Sequence, residues 1–239
     1  MLSCLARSAE AAGIQVFNHG PNLSGAIWYP CEAKPKDVEL GDLGVGVDYG
    51  LMGVKDCPVT GAKRPLVIVS HGYVGWFGGH HDTAAALADA GFVVAAINHP
   101  GDNAKDSSKK DDLSSFLSRP TDMVRILDFM LLDWKDRAAV DPARIGLFGF
   151  SKGAYTGLAL IGAAPDFARF TRGCTDASKF CEQLRSDDIP AVALLQDGAH
   201  LRHEASDDEP VLFGFVSSGQ LRRSDQVAEH DHRPRLQSP

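Results

Sequence analysis

Three short apolar runs punctuate the chain: Pro65–Ser70, Phe92–Asn98 and Ile145–Phe150. Each reads as a strand buried on both faces, where no polar alternation is needed. Helical patterns lie between and after them. His81–Ala90 has Asp82 or Thr83 as N-cap and Gly91 as stop. Pro120–Trp134 carries Met123, Ile126, Leu127, Met130 and Leu131 at helical spacing, and Ala154–Ala163 is compatible with a third helix. Strand and helix alternating in this way predict an α/β chain with a mostly parallel sheet flanked by helices. Upstream, Gly13–Phe17 and Leu23–Tyr29 read as antiparallel edge strands. Residues 31–64 and 100–112 read as loops, the first with one further short strand. Ile189–Leu195 and Pro210–Val216 are the last strand candidates, so the C-terminal strands are expected to be incomplete. These patterns divide the chain into an N-terminal segment 1–12, one domain over 13–216 and a polar tail 217–239, expected to be disordered.

A length of 239 residues suits one domain with a sizeable core. A formal charge of −7 argues against a nucleic-acid partner. No apolar run reaches the length of a membrane span, and the N-terminus lacks the apolar stretch of a signal peptide, which favours the cytoplasm. None of the five cysteines forms a C-x-x-C pair. Cys174 and Cys181 leave two readings open, a local disulfide or free thiols.

The candidate chemistry sits where the third strand meets the third helix. Gly149-Phe150-Ser151-Lys152-Gly153 is a G-x-S-x-G pentad at a strand-to-helix turn. So tight a turn forces the serine into a strained backbone, and Cβ atoms at Gly149 and Gly153 would collide with neighbouring chain. Ser151 Oγ would then stand at the sheet's C-terminal edge, facing the N–H groups of a helix start. The strand 65–70 ends in His71-Gly72-Tyr73-Val74-Gly75, a loop placed to supply a second oxyanion donor.

With those segments, Ala26–Pro30, Val69–Gly72, Gly79–Thr83, Gly91–Ala96, His99–Asn103 and Arg119-Pro120, the chain resembles the α/β-hydrolase superfamily, in its dienelactone-hydrolase-like and platelet-activating-factor-acetylhydrolase-like branch. The resemblance spans about residues 23–165. It implies a serine hydrolase acting on a small-molecule carboxylic ester, with Ser151 as nucleophile and the backbone N–H groups of Tyr73 and Lys152 as oxyanion hole. No metal or organic cofactor is implied. True dienelactone hydrolases have cysteine at the elbow, and the serine here favours ordinary esters. Relatives are often exported, which leaves the compartment open.

A serine nucleophile needs a histidine base held by a carboxylate, in the chain order Ser, acid, His for this fold. Two assignments compete. In one, Asp208 or Asp207 is the acid and the histidine lies beyond residue 239. In the other, His200 is the base and the acid is Asp176 or Asp188. Plain solvated loop residues are the alternative for His200, His203, Asp207 and Asp208. A truncated, catalytically impaired fragment or a binding module is therefore the competing function. His71, His80, His81 and His99 fit no standard metal spacing. His71 is expected to shape the oxyanion loop, His99 and Asp102 to line the pocket or a plain turn, and Trp76 and Phe77 to form an acyl wall or ordinary packing. Oligomeric state is not legible.

Overall fold

The computed structural model describes residues 11–33, 36–38, 51–163, 165, 167–186 and 213–216. Among these residues eight strands form one sheet: β1 (Ala11–Asn18), β2 (Ser24–Cys31), β3 (Lys36–Val38), β4 (Leu51–Lys55), β5 (Arg64–Ser70), β6 (Val93–Ile97), β7 (Val140–Gly149) and β8 (Phe213–Val216). Their order is β3-β4-β1-β2-β6-β5-β7-β8. β6, β5, β7 and β8 run parallel, while β2 pairs antiparallel with both β1 and β6. This is an α/β-hydrolase fold with an antiparallel N-terminal edge.

Strand alternation divides the apolar residues between two cores. Ile27, Tyr29, Val93, Ala95 and Ile97 face one side, with Met123, Ile126 and Met130 packed over them. Ala26, Trp28, Val94 and Ala96 face the other, beneath Ala84 and Ala88. Covering both faces explains why β5 and β6 are continuously apolar. The helices are α1 (His81–Asp89), α2 (Ser114–Asp128), α3 (Lys152–Leu160), α4 (Phe167–Gly173) and α5 (Lys179–Arg185).

Several local expectations are corrected. The N-cap of α1 is His80, without a side-chain cap bond, and Asp82 instead accepts from Thr83 N at 2.7 Å. α2 begins at Ser114, so Pro120 lies inside the helix rather than at its start. The turn Phe129–Asp133 that follows is π-helical. Among the described residues two disulfides form, Cys31–Cys57 and Cys174–Cys181, of which the first had no sequence signal. The Ile189–Leu195 run lies outside the described residues.

Register brings the functional loops together. Ser70 at the end of β5 pairs with Gly149 at the end of β7, and Val69 pairs with Ala96 of β6. The chain segments after β5, β6 and β7 therefore leave the sheet side by side at its C-terminal edge, where open α/β sheets bind ligands.

Candidate active site

β7 turns into α3 through Phe150 and Ser151. Ser151 has φ 53° and ψ −116°, a conformation that L-residues rarely adopt. It caps α3, yet its hydroxyl makes no capping bond. The hydroxyl of an exposed serine is thus left out of the local structure.

The two pentad glycines are sterically required. A Cβ on Gly149 would stand 2.6 Å from Gly153 C and 2.8 Å from Ala154 N, and one on Gly153 would stand 2.7 Å from Ser70 C. Backbone atoms cannot rotate away as a side chain can. Gly72 presses on the turn from the β5 side: a Cβ there would lie 3.4 Å from Ser151 Cβ. The loop after β5 and the serine turn are therefore in contact.

The loop 71–74 is held from behind by buried polar groups. Arg119 of α2 is fully buried; its Nη1 donates to His71 O at 2.7 Å and its Nη2 to Gly72 O at 3.0 Å. Its Nε donates to Asp102 Oδ2 at 3.0 Å. Asp102 also receives Val74 N at 3.0 Å on Oδ1 and Lys152 Nζ at 2.6 Å on Oδ2. Lys152 Nζ further donates to Ser115 Oγ at 2.6 Å and lies 4.3 Å from the Phe116 ring centre. Burial lowers the pKa of both cations, and Asp102 opposes that shift.

Beneath this layer lies a serine–histidine–aspartate chain that sequence reasoning does not reveal. Ser70 Oγ is 2.9 Å from His99 Nε2, and His99 Nδ1 is 3.0 Å from Asp122 Oδ2. Its connectivity is that of a hydrolase triad, but Ser70 is 0% exposed and its own carbonyl backs onto Gly153. No substrate reaches it, and it satisfies buried polar groups instead. Burial, then Arg119, lowers the His99 pKa well below its ordinary value. Burial and Arg119 lower that of His71 to about 4. Neutral His71 donates from Nδ1 to Gly72 O at 2.7 Å and accepts His99 N–H on Nε2 at 3.2 Å. Burial pushes Asp122 up to about 7, against the pull of Arg125 and Arg119.

His99 and Asp102 thus support the loop from below rather than line a pocket. Phe77 is core, against Trp28, and Trp76 packs partly buried beside it. Tyr73 is 49% exposed at the surface, with its hydroxyl donating to Asp111 Oδ1 at 2.7 Å. Asp176 accepts from Ser178 N at 3.1 Å in an exposed turn before α5. His200, His203, Asp188, Asp207 and Asp208 lie outside the described residues. Among the described residues, no cluster of His, Cys, Asp or Glu could hold a metal ion, and no helix is long and apolar enough to cross a membrane. A surface cavity of about 380 Å³ between the β1–β2 turn and the end of α2 holds none of the candidate residues.

The same stretch of chain carries a family signature. The family model described as the dienelactone hydrolase family matches residues 51–171, which include the loop after β5, Asp102, Arg119 and the serine turn. The chain belongs to the dienelactone hydrolase family. Its fold is that of the α/β hydrolases. This family member is 32% identical over 106 residues to the lasso peptide isopeptidase AtxE2 of Asticcacaulis excentricus. That match covers 40% of this chain and 15% of the isopeptidase, so the chain spans a small part of that relative's length. A ferulic acid esterase from Streptomyces cinnamoneus superposes with a TM-score of 0.51 at 20% identity, over 64% of this chain and 55% of the esterase. At that identity the likeness speaks for the fold.

Proposed function

We propose that this dienelactone hydrolase family member cleaves a small-molecule carboxylic ester through an acyl-serine intermediate at Ser151. The observation that carries the reading is Ser151 itself: exposed, held at φ 53° on a strand-to-helix turn, with a hydroxyl that caps nothing. Ser151 Oγ attacks the ester carbonyl while a histidine takes its proton. The backbone N–H of Lys152, first residue of α3 and without an intrahelical partner, faces the developing oxyanion. The N–H of Tyr73 serves as second donor. Each such donor lowers the barrier by about 3 kcal/mol. The alkoxide leaves as the alcohol after accepting the proton, and water then releases the acid. In this reading His200 is the base with Asp176 or Asp188 as its carboxylate, and Asp208 is the acid of the alternative assignment.

A second reading rests on a separate observation. The 32% identity to an isopeptidase favours an amide bond as the scissile group. The same serine chemistry serves both, and only the leaving group differs.

Labelling with a fluorophosphonate probe, alongside Ser151→Ala, tests the reading. Stoichiometric labelling that disappears in the variant supports an activated Ser151. A folded protein that takes no label overturns it and leaves the catalytically impaired fragment or binding module. Comparing p-nitrophenyl esters with the matching anilides separates ester from amide preference.

A further inference from the structure

Two halves of the proposed oxyanion hole come from different elements, the loop after β5 and the first residue of α3. Two donors on separate elements are useful only if something fixes their spacing. The structure offers one such device, built from the three buried charged side chains of Asp102, Arg119 and Lys152.

Arg119 grips two successive carbonyls, His71 O and Gly72 O, from one side. Each peptide is planar and trans, so its N–H points opposite to its C=O. Holding both carbonyls toward Arg119 turns the N–H groups of Gly72 and Tyr73 away from it, and Gly72 packs against the serine turn. Val74, with φ 50°, takes the left-handed conformation that ends this segment, and its N–H is fastened to Asp102 Oδ1. The other oxygen of Asp102 holds both Arg119 and Lys152. One carboxylate thus ties the loop, α2 and the start of α3 into a single unit.

We infer that Asp102, Arg119 and Lys152 form a clamp that sets the distance between the Tyr73 and Lys152 N–H groups, making these side chains positioning residues for ester cleavage. The clamp rests on the reading of Ser151 as nucleophile. Its charges are arranged to hold together without water. Two buried cations share one buried anion, and the hydroxyl of Ser115 and the Phe116 ring take up the surplus around Lys152. A bidentate fork is needed at position 119, since lysine cannot hold two carbonyls and a carboxylate at once.

The test uses Arg119→Lys and Lys152→Met in the full chain. Lys152→Met keeps the backbone donor and leaves a neutral Asp102–Arg119 pair, so it folds even where Arg119→Lys does not. Four quantities are read: kcat and KM on p-nitrophenyl acetate, the fluorophosphonate labelling rate, and amide hydrogen exchange of residues 71–75. The clamp predicts a kcat lowered about 10- to 100-fold with KM nearly unchanged, labelling slowed in parallel, and faster exchange in 71–75. A merely structural role lowers the melting temperature and leaves kcat per folded molecule at the wild-type value. That result overturns the clamp alone. A wild-type protein that neither labels nor hydrolyses overturns the Ser151 reading and the clamp's role with it.

Discussion

Gly153 backs directly onto Ser70, so that any Cβ on Gly153 would overlap the Ser70 carbonyl. The start of α3 is thereby pressed against the end of β5. This contact, more than the serine itself, makes a G-x-S-x-G pentad informative. Gly153→Ala forces backbone apart rather than a rotamer, and should cost on the order of 3 kcal/mol. Chemical denaturation is the measurement. A midpoint equal to wild type would mean that α3 can slide away from β5.

Strain at Ser151 makes the opposite prediction. A non-glycine residue at φ 53° costs roughly 1–3 kcal/mol. Ser151→Gly relieves that strain, though glycine adds conformational freedom to the unfolded chain. The net gain expected is about 1 kcal/mol, seen as a raised melting temperature together with complete loss of fluorophosphonate labelling. A variant less stable than wild type would show that the Ser151 side chain contributes packing that outweighs its strain.

The parts legible in the sequence are those that depend on local pattern. β5, β6 and β7 are short continuous apolar runs, and the pentad announces its own turn. Pro120 suggests an N-terminus for α2, whereas the helix begins at Ser114 and carries the proline within. The support beneath the loop is not legible. Ser70, His99 and Asp122 come from three separate elements and carry no spacing signature. Arg119 stands out in the sequence only through a family resemblance; nothing local says that an arginine will be fully buried against two carbonyls. The Cys31–Cys57 bridge depends on the segment after β4 reaching the end of β2, which is tertiary information. β8 runs parallel to β7 with Val216 opposite Gly149, and Asp208 precedes that strand.

Buried titratable groups give a pH dependence of stability. His71 is neutral in the fold, with a pKa of about 4 against an ordinary 6.5. Between those values the unfolded chain binds the extra proton, so His71 costs stability as pH falls from 6.5 to 4, by roughly 3 kcal/mol. His99 acts in the same sense. Asp122 acts in the other: raised to about 7, it binds a proton more readily in the fold, so its contribution is present at low pH and lost as pH rises from about 4 to 7. Wild type should therefore lose stability below pH 6.5, but less steeply than Asp122→Asn, in which the opposing contribution is gone. Melting temperatures at pH 4.5, 6 and 8 decide it. Parallel curves for the two proteins would place Asp122 at an ordinary carboxylate pKa.

The two disulfides differ in the length of chain they close, and that sets their relative worth. Cys31–Cys57 spans 26 residues and joins the end of β2 to the segment after β4, whereas Cys174–Cys181 spans 7 and joins the residue after α4 to α5. Loop-closure entropy gives about 3.5 kcal/mol for the longer and about 2.5 for the shorter. Each bridge also has a local consequence. Cys57 O accepts the Tyr29 hydroxyl at 2.9 Å, so opening the first bridge loosens an edge of the core. The second bridge lies on α4–α5, away from the sheet. Cys31→Ser with Cys57→Ser should therefore lower the unfolding free energy more than Cys174→Ser with Cys181→Ser, and the second pair should leave fluorophosphonate labelling unchanged. Equal losses for the two double variants would mean that the shorter bridge carries tertiary contacts beyond its own loop.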